Sequence, residues 1–379
     1  MQISKILQDL KDNANFRELT PLKKYDKFVF KSGKKLLNLA SNDYLNLSSL
    51  QNLKNEFLIS IKKDDLYFSS TSSRSLSGNF SIFSELESFI STFFESKSCL
   101  HFNSGYHLNI SCVSALASLK NTLFLADRQI HASMIDGLKL GRANFRRFKH
   151  NDLKDLESLV QKYHKEYENI IILSEALFSM DGDFCDLESL VRIKKSYKNI
   201  LLYIDEAHSV GCFGNGMGRI KALKLEKEID FIIFTFGKAL SSMGACMICN
   251  NNFKDFFINK ARAFIYSTAL PPINVAWSLF IFKKLAFFED RRQNLMQISS
   301  FFKDKLLEKN LNVLGDAYII SLILSSNEKA LESSLKLVKA GFFAPAIKEP
   351  SVAKNSARIR FSLHSDLNKE EIKNLVSFL

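Results

Sequence analysis

Four short runs constrain most of what this chain can become: NTLFLAD (121–127), NIIILSEALF (169–178), NILLYIDEAH (199–208) and DFIIFTFGK (230–238). Each is almost wholly apolar and ends in polar residues, and helix-patterned sequence such as DLESLVRIKKSYK lies between them. A strand that is apolar on both faces must be covered on both, so the pattern predicts a mainly parallel sheet between helices, an α/β domain. In such sheets ligands bind beyond the carboxyl ends of the strands. The residues that follow each run are therefore the candidates: Asp127 with His131, Ser179, Asp205 with His208, and Thr235 with Lys238.

The flanking sequence is organised differently. ISKILQDLKDN reads as an amphipathic helix, and KFVFKSGKKLLNLA as a hairpin with Gly33 at its turn. FSIFSELESFISTFF has helical spacing, with Ser81 or Ser84 as a possible cap. Beyond Pro271 and Pro272 a long helical stretch leads into a smaller α+β section from about Asn312, with strand-like AYIISLILSS and SARIRFSLH. Arg358 and Arg360 alternate in the latter, so both point to one face. The expected organisation is an N-terminal arm (1–45), a large domain (46–280) and a C-terminal domain (281–379), the arm packing with the last.

With 379 residues, 46% of them hydrophobic, the chain can bury a large core. No apolar run approaches the roughly 20 residues of a membrane helix. MQISKILQDL is a mixed start with no signal-peptide core. A soluble, cytoplasmic protein without a membrane role is expected. The six cysteines are scattered, which fits reduced thiols better than a disulfide framework. CMIC (246–249) has CxxC spacing but no second pair or nearby histidine, and reads as a buried strand. A net charge of +12 would suit nucleic acid, an acidic partner protein or a lysine-rich composition. The lysines are dispersed and no basic run is interleaved with exposed aromatics, so no nucleic-acid partner is expected.

DEAH (205–208) as a helicase box requires an upstream GxxxxGK[ST] loop. Gly237-Lys238-Ala239 lacks both the leading glycine and the hydroxyl, which excludes a nucleotide hydrolase. GNGMGR (214–219) has no apolar strand running into it and fails as a dinucleotide fingerprint. Asp205 and His208 could ligate a metal, but His101, His107 and His164 sit in unrelated settings, and no metal is expected. A lysine at one strand end and an aspartate at another suit pyridoxal 5'-phosphate. That cofactor needs a lysine for its Schiff base and a carboxylate to keep the ring nitrogen protonated. It also needs hydroxyls and backbone amides around its phosphate, and Thr235, three residues before Lys238, offers one hydroxyl. By spacing alone the constellation is only suggestive. Asp205 could instead be a helix cap, and taken singly His131 and His208 read as structural histidines and Ser267, Thr268 and Ser351 as turn hydroxyls.

The motifs SNDYLNL, SLSGN, HFNSGYHLN, DRQIHASM, HNDLKDLE, FSMDGD, DEAHSVGCFG, TFGKAL and IYSTALPP follow one another in an order and spacing that resemble the α-oxoamine synthases over nearly the whole chain. The resemblance implies the type I fold of pyridoxal-phosphate-dependent transferases: a large domain with a mainly parallel central sheet, a smaller α+β C-terminal domain, and a homodimer with shared active sites. It implies that Lys238 is the Schiff-base lysine and base, that Asp205 partners the pyridine nitrogen, and that His131 stacks on the ring. His208 and Ser179 would hydrogen-bond around the phenolic oxygen. The Gly105 and Tyr106 amides and Thr235 would bind the phosphate, and Ser267 and Thr268 would reach the phosphate of the other subunit. Asn42 and Arg360 resemble holders of the amino-acid carboxylate, and Arg17 and Ser351 contacts of the acyl substrate. SRSLSGN, IYSTALPP and FSMDGD lean toward the member that condenses L-alanine with a pimeloyl thioester, on acyl carrier protein or coenzyme A, in biotin formation. Glycine C-acetyltransferase and other members share the same cofactor residues. FSSTSSRSLSGN and GKALSSMGA carry serines where the family favours glycine, which bears on the acyl channel more than on the cofactor site.

Overall fold

The computed structural model describes residues 2–95 and 97–379, which form two compact units. One is built from the segment ending at Leu50, from Ser179–Asp183 and from Glu289–Leu379; the other from Gln51–Phe178 and Phe184–Phe288.

The first unit begins with helix α1 (Gln2–Asp12), none of whose residues is buried; Ile3, Ile6, Leu7 and Leu10 are all exposed. A meander follows: β1 (Lys23–Tyr25), β2 (Phe28–Lys31) and β3 (Lys34–Asn38), with Gly33 at φ 80° in the turn where the hairpin was expected.

The second unit opens with α2 (Gln51–Ser60) and α3 (Ser81–Ser91). Neither Ser81 nor Ser84 caps α3: the cap position is Phe80, which makes no side-chain cap bond, because Ser81 is already the first helical residue. A seven-stranded sheet then dominates, formed by β4 (Ser98–Phe102), β5 (Thr122–Asp127), β6 (Asn144–Phe148), β7 (Asn169–Glu175), β8 (Ile200–Asp205), β9 (Phe231–Thr235) and β10 (Ala245–Cys249). Its order is β4-β10-β9-β8-β7-β5-β6. The four apolar runs of the sequence are β5, β7, β8 and β9, mutually parallel as expected. Only β10 is reversed, antiparallel to both β9 and β4. CMIC lies in this strand with every residue buried.

Helices between the strands cover the sheet, among them α4 (Gly105–Leu116) and α5 (Ala132–Leu140). One face buries Phe231 against Tyr203, Phe253 and Phe257. The phenylalanine runs supply core as expected, except that Phe287 of KKLAFF is exposed while Phe288 is buried.

The remainder of the first unit holds a four-stranded sheet from β11 (Val313–Leu314), β12 (Ile319–Ser325), β14 (Ala346–Ile347) and β15 (Ala357–Ser362), while β13 (Phe342–Phe343) joins β3 in parallel. Among the described residues no helix is long and apolar enough to cross a membrane.

Candidate active site

The chain order β5, β6, β7 places β6 and β7 on opposite sides of β5, so successive connections leave in opposite directions. A crevice at the carboxyl ends of the strands is the consequence of such a reversal. The chemistry-bearing side chains of the second unit collect there. Asp205 ends β8 and is 5% exposed. Its Oδ1 accepts from the Ala207 amide at 2.8 Å and its Oδ2 from Asn109 Nδ2 at 2.8 Å. Two donors are thus aimed at one buried carboxylate.

Lys238 lies three residues past β9, in the short loop to β10, and its Nζ is 2.7 Å from His208 Nε2. His208 is buried, three residues beyond Asp205. The loop is tightly pinned. Thr235 Oγ1 donates to the Gly244 carbonyl at 2.9 Å and accepts from the Gly237 amide at 3.1 Å, while the Phe236 amide donates to Gly244 at 2.9 Å. Thr235 thus already uses its one proton inside the turn; toward an anion it offers position rather than a spare donor.

Helix α4 starts where an anion would be held. Ser104 caps it, accepting from the His107 amide, so the amides of Gly105 and Tyr106 open the helix without intrahelical acceptors. A Cβ built at Gly105 would lie 3.7 Å from Thr235 Cβ, so the Thr235 side chain borders this helix end. Tyr106 is half exposed and its hydroxyl donates to Asp136 Oδ2 at 2.5 Å.

His131 caps α5 and its Nδ1 is 2.8 Å from Ser133 Oγ. The residue keeps an exposed face, yet its ring is held below the usual histidine range. Desolvation of its inner edge is the main cause, Asp205 pulls the other way, and Lys238 adds to the depression. Asp127, by contrast, is a structural carboxylate: it accepts from the amides of Gln129 and Asn151 and pairs with His150 at 2.8 Å. Asn103 Nδ2 donates to the Thr268 carbonyl at 2.7 Å, anchoring the segment that carries Ser267 and Thr268.

Glu175 went unnoticed in the sequence. It ends β7, directly in register with Asp205, is 3% exposed, and its Oε1 has no hydrogen-bond partner. Burial first, then the neighbouring Asp205, raises its carboxyl well above the usual range. An acid inside the apolar run IIILSEALF was the available signal. Asn109 was also missed, although a lone amide among Leu108, Cys112 and Val113 on α4 is conspicuous.

In the first unit, Arg360 Nη1 and Nη2 both donate to Asn42 Oδ1, at 3.2 and 3.3 Å, and Nε donates to the Ser179 carbonyl at 2.5 Å. Ser362 and Tyr44 accept the remaining contacts of the guanidinium. Arg358, on the same strand face, pairs with Asp181. Arg17 Nη2 donates to Ser351 Oγ at 3.1 Å, so the two residues expected at the acyl substrate are in contact with each other.

This donor set fits pyridoxal phosphate. A helix N-terminus bordered by Thr235 suits a phosphate, a buried and doubly hydrogen-bonded carboxylate suits a cationic ring nitrogen, and a lysine stands on a pinned loop.

The relatives agree. The family model for aminotransferase class I and II matches residues 34–379. A protein of Glaesserella parasuis serovar 5, provisionally named 8-amino-7-oxononanoate synthase, is 43% identical over 375 residues, covering 98% of each chain. An 8-amino-7-oxononanoate synthase structure from Francisella tularensis is 30% identical with a TM-score of 0.77, covering 90% of this chain and 96% of that one. An SPT structure containing pyridoxal phosphate as an internal aldimine is 25% identical with a TM-score of 0.90, covering 100% of this chain and 95% of its own. The fold, the cofactor residues and these likenesses converge: the chain belongs to the aminotransferase class I and II family, as a pyridoxal-phosphate-dependent, acyl-transferring α-oxoamine synthase.

Proposed function

We propose that the enzyme joins L-alanine to a pimeloyl thioester, releasing carbon dioxide and the free thiol to give 8-amino-7-oxononanoate for biotin formation, and that it does so as a cytoplasmic homodimer with shared sites. The observation that carries the reading is the Arg360–Asn42 contact: both terminal nitrogens of the guanidinium converge on one amide oxygen, 3.2 and 3.3 Å away. The same two nitrogens are the paired donors with which arginine grips a carboxylate, one N–H to each oxygen, and here both turn to the single oxygen of Asn42. An α-amino acid is the matching substrate. At the other end, Arg17 with Ser351 offers a cation and a hydroxyl to the terminal carboxylate of a pimeloyl chain.

When bound, pyridoxal phosphate supplies the electron sink for negative charge developing at the amino-acid α-carbon. The residues around it divide the remaining work. The Lys238 amine takes the α-proton and returns it, with His208 Nε2 in hydrogen-bond contact to orient it. Asp205, held by Asn109, would face the ring nitrogen, and burial keeps the adjacent Glu175 carboxyl well above the usual range. Gly105 and Tyr106 present amides to the phosphate, and Ser267 and Thr268 serve the partner subunit's phosphate.

The test offers the purified enzyme L-alanine, glycine and L-serine, each with pimeloyl, acetyl and succinyl thioesters, and follows thiol release. L-Alanine with a pimeloyl thioester is expected to give the highest kcat/KM. Preference for glycine with acetyl-CoA would overturn the assignment in favour of a glycine C-acetyltransferase.

A further inference from the structure

Asn109 sits on α4, one turn inward from Gly105, and is 1% exposed. Its amide is engaged on every side. Oδ1 accepts from the buried Tyr203 hydroxyl at 2.7 Å; Nδ2 donates to Asp205 Oδ2 at 2.8 Å and to Ser133 Oγ at 3.1 Å. Ser133 Oγ is in turn 2.8 Å from His131 Nδ1, and the Ser133 amide also donates to Nδ1 at 3.3 Å.

The donors run in one direction. A phenol at 0% exposure has a single proton and must give it to Asn109, which fixes the amide with its NH2 toward Asp205. The flipped amide would set oxygen against carboxylate. Because Asn109 donates into Ser133 Oγ, the serine's own proton is left for His131 Nδ1. Nδ1 therefore acts as an acceptor, and the imidazole proton belongs on Nε2.

We propose that Asn109 is a positioning residue that locks Asp205 and His131 into one hydrogen-bonded unit, so that the cofactor's ring nitrogen and ring face are addressed by side chains oriented from a single point. Helix α4 then carries phosphate-facing amides on its first turn and the ring clamp on its second, coupling the two ends of the cofactor site. The inference rests on the enzyme's being a pyridoxal-phosphate enzyme and is independent of which substrates it joins.

The test measures pyridoxal phosphate affinity by equilibrium dialysis for wild type, Asn109→Leu, Asp205→Ala and the double variant. Asn109→Leu is expected to weaken binding about ten-fold or more, as for loss of a hydrogen bond to a charged group. In the Asp205→Ala background the same substitution should cost less than about two-fold, because the two residues act as a unit. Equal losses in both backgrounds would overturn the proposal. Ser133→Ala cuts only the His131 branch and keeps the fold's packing. It is expected to leave cofactor affinity within about two-fold while moving the acid limb of the kcat/KM profile to higher pH, since imidazolium loses an opponent at Nδ1. An unmoved profile would equally refute the linkage to His131.

Discussion

Glu206, the residue after Asp205, offers a quantitative test of how the DEAH segment is held. It is 1% exposed, and its Oε1 accepts from the Ile220 amide and the Ser209 hydroxyl, both at 2.9 Å, while Oε2 has no partner. Gly218, at φ 104°, approaches so closely that a Cβ there would stand 2.1 Å from Oε2. Burial outweighs these donors and lifts the carboxyl from 4.5 to about 7. Below about 4.5 folded and unfolded chains are both protonated and the residue is neutral to stability. Between about 4.5 and about 7 the unfolded chain releases a proton that the native state keeps, so stability falls as pH rises, and above about 7 the loss is complete. At about 1.4 kcal/mol per pH unit, the total is about 3 kcal/mol. Glu206→Gln has no proton to lose. Its stability relative to wild type should therefore climb by about 2.5 kcal/mol from about pH 5 to about pH 8, on top of a constant offset from the amide. Urea unfolding followed by circular dichroism across that range reads the difference directly. Parallel pH profiles for the two proteins would show that Glu206 is ionised in the native state and refute the reasoning.

Two further predictions concern the same unit and its neighbour. Arg74 Nη1 and Glu87 Oε1 pair at 2.5 Å with both side chains buried, Arg74 lying between Phe83 and Phe264. Arg74→Ala leaves the carboxylate with the His101 amide at 2.8 Å and Lys254 at 3.3 Å but without its buried counter-charge, and should cost about 3 kcal/mol; Arg74→Met with Glu87→Leu should recover most of it in a double-mutant cycle. Gly244→Ala and Gly33→Ala form a contrast: both have positive φ, but a Cβ at Gly244 would meet His101 Nε2 at 2.4 Å, whereas Gly33 has nothing within 4 Å. Gly33→Ala should lower stability by about 1–2 kcal/mol, the backbone cost alone, and Gly244→Ala by clearly more, compared by thermal unfolding.

The parallel core of the sheet was legible because β5, β7, β8 and β9 are apolar on both faces, and that signal needs no knowledge of partners. The same rule marked the strand ends, and Lys238 and His208 are in contact there. What could not be read was direction and register. Nothing in ACMIC announces that β10 runs against its neighbours, since a buried strand is apolar in either orientation. Glu175 was hidden because its importance lies in a register with Asp205, thirty positions away, which only the sheet creates. Asn109 was hidden for a related reason: an amide four residues into a helix acquires meaning from Tyr203 and Asp205, which the sequence sets far from it. Asn42 and Arg360, by contrast, were named from resemblance to a family and not from any local pattern, and they are in contact.

The reversed strand has a consequence for the lysine that precedes it. A parallel successor to β9 would have required a long crossover, with Lys238 somewhere along a covering helix. Because β10 returns alongside β9, residues 236–244 need only make a tight about-face, stapled by the Phe236–Gly244, Ser242–Phe236 and Ser241–Lys238 backbone bonds. Lys238 therefore hangs on a leash of fixed length. An insertion or deletion of even one residue between Thr235 and Ala245 would shift the amine's reach while leaving the strands able to pair, so the length of this loop is set by the lysine it carries.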